Sequence, residues 1–147
     1  MFAPDPETNV REAFASDAPR IAALALQLGY EVPLAHVERT LARRGPAFEA
    51  FVAVVPRVGV VGWVTVSIGE SMTSTRHAEL EGLVVDAEYR GGGIGRLLLE
   101  RAERFARENG CPMLRLRSNV LRERAHAFYE RAGYDSPKTQ RVYEKRL

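Results

Sequence analysis

Residues 79–99 read Glu-Leu-Glu-Gly-Leu-Val-Val-Asp-Ala-Glu-Tyr-Arg-Gly-Gly-Gly-Ile-Gly-Arg-Leu-Leu-Leu. An apolar strand runs to Val85, and a short turn leads into Arg90-Gly91-Gly92-Gly93-Ile94-Gly95. A strongly apolar helix follows at once. The first backbone amides of a helix have no partner inside it, and the helix dipole adds partial positive charge there. Glycines at that point let an anion come close to those amides. The stretch therefore reads as a phosphate cradle, with the preceding strand free to hold the rest of a ligand.

Two familiar phosphate loops do not fit. The dinucleotide fingerprint G-x-G-x-x-G belongs near the first strand of a βαβ unit, with an acidic residue some 20 positions on. Counted from Gly91 or Gly93, the third glycine position holds Arg96 or Leu98, and the loop lies late in the chain. A Walker A loop needs Lys-Ser or Lys-Thr after its glycines, and neither follows here.

Around this stretch the chain alternates between helical and extended periods. Asn9–Ala13 suits a short strand. Ser16 or Asp17 can cap a helix carrying Ile21, Leu24, Ala25 and Leu28, ended by Gly29. A second helix starts near Pro33, with Leu34, Val37 and Leu41 on one stripe, and Gly45-Pro46 stops it. Phe48–Val55 and Val60–Ile68 are β-branched runs joined by a Pro56–Gly59 turn, a hairpin pattern. Trp63 shares its face with Val61, Thr65 and Ser67 and suits a core or a pocket wall. Gly69–Arg76 reads as an exposed loop, and Ala78–Val85 as the next strand. After the glycine loop a helix runs to about Glu108. Met113–Arg117 alternates as a strand, Arg122–Ala132 forms a last helix, and Tyr134 and Arg141–Lys145 suit two short closing strands. This order predicts a mixed α/β fold in a single domain spanning 1–147, with no repeat or linker.

Composition narrows the function classes. Charged residues make up 27% of the 147 and hydrophobic ones 46%, as in ordinary globular chains. The formal charge is only +2. Of the 21 basic residues all but Lys138 and Lys145 are arginine, but they are dispersed among glutamates, so nucleic acid is not the expected partner. Cys111 is the sole cysteine, which excludes an intrachain disulfide and a cysteine-based zinc site. The first residues lack the pattern of a signal peptide, and no apolar run reaches the roughly 20 residues that span a bilayer. A cytoplasmic protein without a membrane partner is expected.

Arg90-Gly91-Gly92-Gly93-Ile94-Gly95 fits R/Q-x-x-G-x-G, preceded by Leu83-Val84-Val85-Asp86-x-x-Tyr89. Ala125-His126-Ala127-Phe128-Tyr129, then Gly133-Tyr134, follows some forty residues later. With this pair of segments the sequence resembles the GNAT family of N-acetyltransferases, in element order along nearly the whole chain and most sharply over 79–134. The resemblance implies a mostly antiparallel mixed sheet of six to seven strands, splayed between the fourth and fifth and flanked by about four helices. It implies direct acetyl transfer from acetyl-CoA to a primary amine, without a metal. The amides from Arg90 through Gly91, Gly92, Gly93, Ile94 and Gly95 to Arg96 are expected to hold the pyrophosphate. The pantetheine arm is expected to pair with the backbone of Leu83, Val84 and Val85, which a strand bulge near Gly82 exposes.

An amine attacks a thioester only when neutral, and an exposed lysine-like amine titrates at about 10.4. A proton acceptor is therefore needed. Glu79 and Glu81 alternate onto one face of the strand, with Leu83 and Val85. Glu81 is the leading candidate for the base, directly or through a water, and Glu79 the second; the plainer alternative is that both are solvated or anchor a cationic acceptor. By the resemblance, Tyr129 is the general acid beside the coenzyme sulfur, although its helical stripe with Ala125, Phe128 and Ala132 also suits a core aromatic. His126 points off that stripe and reads as structural. Relatives that place an Asn seven residues before this Tyr, or a Glu on the fifth strand, differ from this chain, which has Arg122 and Arg117. Asn119 or Arg122 is left to contact the coenzyme. The rival reading is a non-catalytic acyl-CoA-binding regulatory module on the same fold. The acceptor is open between small amines, slightly favoured by Glu70, Glu79 and Glu81, and protein N-termini or lysines. Homodimers are common in such enzymes, and no segment here specifies one.

Overall fold

The computed structural model describes residues 6–147; the first part of the Pro-broken N-terminal arm lies outside them. The chain falls into two compact units, Met1–Arg117 and Ser118–Leu147.

The first unit holds a five-stranded sheet in chain order: β1 (Asn9–Glu12), β2 (Phe48–Val55), β3 (Gly59–Ser71), β4 (Ser74–Val85) and β5 (Leu114–Leu116). All neighbours are antiparallel except β4 and β5, which run parallel. Helices α1 (Ala18–Leu26) and α2 (Leu34–Ala42) lie on one face, where Ile21, Val37 and Leu41 form one buried cluster with Ala50 and Val52. Phe51, between those two sheet residues, points the other way and meets Phe105 of α3 (Ile94–Glu108) edge-on, ring centroids 6.2 Å apart. Period two in the strands thus sorts the core into two layers.

Several boundaries differ from the sequence expectation. The predicted 69–76 loop is instead the end of a long hairpin: β3 continues to Ser71 and β4 begins at Ser74, leaving Met72 and Thr73 at the tip. Polar side chains do not prevent pairing when neither face is buried. Asp17 is the N-cap residue of α1, but its side chain makes no capping bond to that helix. Its carboxylate accepts from the Phe14 amide at 2.7 Å and pairs with Arg11 at 2.8 Å, closing the turn before the helix.

The second unit carries α4 (Glu123–Arg131), ended by Gly133 at φ +95°. Residues 134–147 form no strand, so the described sheet has five strands rather than six or seven. The alternation at Arg141–Lys145 supplies a pattern but not a paired edge, and Val142 and Tyr143 are exposed.

Candidate active site

The site in the first unit is built where β4 parts from β5. The parallel pairing covers only Ala78, Glu79 and Leu80 opposite Leu114, Arg115 and Leu116. Beyond Leu80, β4 runs on to Val85 paired with β3 alone among the described strands. Leu83, Val84 and Val85 therefore present one backbone edge with no neighbouring strand. An extended amide-bearing ligand suits such an edge.

A bulge resets the faces of β4 at the same place. Val66 pairs with Leu80 and Thr65 with Gly82, so Glu81 is an extra residue without a partner on β3. The sequence expectation put the bulge near Gly82, one residue away. Its consequence was not legible in plain alternation. Glu79 lies opposite Ser67, and Ser67 Oγ donates to Glu81 Oε1 at 3.3 Å, so both carboxylates lie on the Ser67 face. Leu83, opposite Val64, turns to the α3 face, contrary to the expected shared face. Gly82 lies under Trp63: a Cβ there meets the indole at 2.7 and 2.9 Å. The indole is itself tied to α1, its Nε1 donating to the Ile21 carbonyl at 3.2 Å.

The two carboxylates have different surroundings. Glu79 is engaged on both oxygens, Oε1 by Arg117 Nη1 and Oε2 by His77 Nε2 at 3.2 Å. Arg117 stands one residue past β5, and the short parallel pairing brings it to Glu79. Glu81 is exposed, and one of its oxygens accepts from the Ser67 hydroxyl. Sequence alone could not separate these surroundings, because Arg117, the partner of Glu79, is 38 residues away.

After β4 the chain makes a helical turn, Ala87–Tyr89, and enters the glycine loop. Gly91 and Gly93 have φ of +82° and +85°, a region that side-chain-bearing residues rarely adopt. Gly93 caps α3. The Leu97 amide is the first to bond back, to the Gly93 carbonyl at 3.1 Å. The amides of Ile94, Gly95 and Arg96 thus open the helix with their hydrogens directed outward. Arg90 Nε donates to the Val85 carbonyl at 3.0 Å, closing the loop back onto the strand end. The edge of Leu83–Val85 and the amides that follow Gly93 fit a ligand with an amide-bearing arm and a diphosphate.

The base of this loop rests on residues the sequence reading did not single out. Asp86 is buried, and its carboxylate accepts from Arg20 Nη2 at 2.6 Å, Gln27 Nε2 at 3.4 Å and the Glu88 amide at 3.1 Å. Burial by itself raises the Asp86 carboxyl, but the Glu88 amide, Arg20 and Gln27 outweigh it and hold the group below its usual value.

In the second unit, Tyr129 sits half-buried on α4 with Phe128 and Tyr134 edge-on at centroid distances of 5.1 and 5.9 Å. Burial raises its phenol, and the charge of Arg122 opposes that rise without cancelling it. Asn119 Oδ1 accepts from the Leu121 amide at 2.9 Å, and His126 Nε2 lies 2.9 Å from the Asn119 carbonyl. Asn119 and His126 thereby shape the turn into α4, at whose N-cap Arg122 stands. Among the described residues, no group of three or more His, Cys, Asp or Glu is placed to hold a metal ion.

A family profile described as acetyltransferase (GNAT) matches residues 13–134. The chain belongs to the acetyltransferase (GNAT) family. It is an acetyl-CoA-dependent N-acetyltransferase. An aminoglycoside N(6')-acetyltransferase type 1 from Stenotrophomonas maltophilia is 29% identical over 145 residues, covering 95% of this chain and 92% of that one. An aminoalkylphosphonate N-acetyltransferase from Salmonella typhimurium is 45% identical over 56 residues, 38% of this chain and 36% of that one. Among solved structures, an aminoglycoside antibiotic 6'-N-acetyltransferase from Acinetobacter baumannii superposes with a TM-score of 0.82 at 20% identity, covering 95% of this chain and 99% of its own. At that identity the superposition speaks for the fold alone. The GNAT fold expected from the sequence is thus the fold observed, with the five strands described above.

Proposed function

We propose that this GNAT enzyme acetylates a small-molecule amine that carries more than one positive charge, with Glu81 as its general base. The observation that carries this reading is the bulge at Glu81. It turns an exposed carboxylate onto the Ser67 face at the point where β4 loses its β5 neighbour. One oxygen of Glu81 accepts from Ser67, and the other is open to take a proton from an ammonium acceptor or from a water that bridges to it. Glu79, held by Arg117 and His77, has both oxygens occupied and serves as a fixed negative charge that orients a cationic acceptor. Acetyl-CoA supplies the activated acetyl thioester. The edge of Leu83, Val84 and Val85 holds its arm, and the amides from Arg90 to Arg96 hold its diphosphate. Tyr129 keeps a proton at Oη for the leaving sulfur, a role carried by the sequence motif and in keeping with its raised phenol. Arg122 and Asn119 are the residues of the second unit assigned to coenzyme contact. The chain acts as one acetyltransferase domain, in line with a family match that runs across both units.

Support for the acceptor class comes from two sides. Both relatives are named for small-molecule amines, and the Ser67 face offers two carboxylates to a cation. The test is a thiol-release assay across aminoglycosides, polyamines, aminoalkylphosphonates, amino acids and peptides. The expected result is the highest kcat/KM on a multiply charged small amine. Turnover confined to peptide N-termini or lysines overturns this assignment.

A further inference from the structure

The buried carboxylate under the glycine loop is served from a distant helix. Arg20, in the first turn of α1, donates through Nε to the Val60 carbonyl at 2.9 Å and through Nη2 to Asp86 at 2.6 Å. Gln27, just past the end of α1, grips the same spot with both ends of its amide. Nε2 donates to Asp86 Oδ1 at 3.4 Å, and Oε1 accepts from the Ala87 amide at 2.9 Å. Arg20 and Gln27 are seven residues apart, two helical turns, and so lie on one stripe of α1. Ile21, Leu24 and Ala25 bury the helix. The polar stripe is spent on Asp86 and the residue after it.

Asp86 is the residue at which β4 ends and the turn into the cradle begins. Its amide donates to the Val61 carbonyl at 2.8 Å, and its carboxylate fixes the following turn through the Glu88 amide. Rotation about this residue swings everything up to Gly93. A buried carboxylate does not tolerate loss of its partners, so the set behaves as a unit. We propose that Arg20 and Gln27 are positioning residues for the donor site, through which α1 holds the glycine loop in the geometry that binds coenzyme A. This rests on the reading of Arg90–Arg96 as the coenzyme cradle. It also makes α1 a link that reports coenzyme binding, because coupling between two parts of a protein is reciprocal.

The experiment uses the full chain with Arg20→Met and Gln27→Leu, and with Arg44→Met as a comparison. Arg44 pairs with Glu12 and Glu49 and has no part in the cradle. The side chain of Arg20 is 42% exposed, and the unfolding midpoint of each variant is measured first, so that binding is compared between folded chains. Coenzyme A binding is measured by calorimetry, KM separately for acetyl-CoA and for the acceptor, and amide hydrogen exchange of α1 with and without coenzyme A. Arg20→Met is expected to weaken coenzyme A binding about ten-fold, the effect of one charge-assisted hydrogen bond. The acceptor KM and the saturated kcat should stay within about two-fold. Coenzyme A should slow exchange in α1 of the wild type and much less in Gln27→Leu, while Arg44→Met keeps wild-type coenzyme affinity. Wild-type affinity and wild-type exchange protection in both Arg20→Met and Gln27→Leu overturn the proposal. A wild-type chain that binds no coenzyme A overturns the cradle reading itself, and the link with it.

Discussion

Gly82 is a position where one added methyl reaches far. Its Cβ would stand 2.7 Å from an indole that cannot swing away without breaking its bond to the Ile21 carbonyl. Gly82→Ala is therefore expected to cost about 1–3 kcal/mol. Because Trp63 is the only tryptophan, its emission should shift toward red as the indole is pushed outward. An unchanged spectrum and midpoint contradict the packing described. At Glu81 the change is chemical. Glu81→Gln should lower kcat about 100-fold near neutral pH with little change in the KM for acetyl-CoA. The deficit should shrink as pH rises toward the amine's own titration, because more acceptor arrives already neutral. A pH-independent deficit argues against a proton-accepting role. The acid assigned at Tyr129 must hold its proton at working pH. Burial raises its phenol above the ordinary 10.0, so this acid is lost only as pH climbs past that value. Tyr129→Phe should cut kcat by about ten-fold or more across the neutral range.

At the scale of elements, the tie between α1 and the end of β4 has a pH signature. The Asp86 carboxyl is held below its ordinary 3.8 in the folded state. The stability it contributes is therefore complete above the unfolded-state value and is lost as pH falls below it toward the folded one. Asp17 behaves likewise: burial raises it, but bonds from Arg11 and the Phe14 amide prevail. Asp86→Asn should lose about 1–3 kcal/mol at neutral pH, where Arg20 is left without its anion. It should also flatten the decline of stability on acidification below about pH 4, read from urea midpoints across pH. An acid limb as steep as that of the wild type removes Asp86 from the linkage. The tie to Asp86 was not legible in sequence, since Arg20 and Asp86 are 66 residues apart and nothing in the segment that contains Asp86 names its partner. The helices themselves were legible, because apolar residues at helical spacing and glycine stops are local signals.

For the whole molecule, ligand linkage gives the broadest test of the donor assignment. Coenzyme A at about 100 times its Kd should add about 2.7 kcal/mol to stability. For a chain of 147 residues that corresponds to a rise of about 5–10 °C in the unfolding midpoint. No shift at saturating coenzyme A contradicts a preformed cradle. Most of the architecture behind that cradle was readable in advance: strand, glycine loop and apolar helix are contiguous, so their physics is contained in one stretch of chain. The strand count was not. Tyr134 and Arg141–Lys145 suit short strands, yet a strand exists only where another chain segment supplies hydrogen-bond partners. The reverse error occurred at 69–76, where a polar stretch with turn residues pairs as a hairpin because both its arms extend strands already in register.

The sequence by itself determined the family of this enzyme, because the glycine run, the helix opening after it and the distant Phe-Tyr segment are identities at fixed spacing. Only the tertiary structure decided the surroundings of each glutamate. Register placed an extra residue at Glu81 and turned it to the Ser67 face, and the short β4–β5 pairing delivered Arg117 to Glu79. Both outcomes depend on which strands lie side by side and where they part, which is a property of long-range pairing that no single stretch of residues encodes.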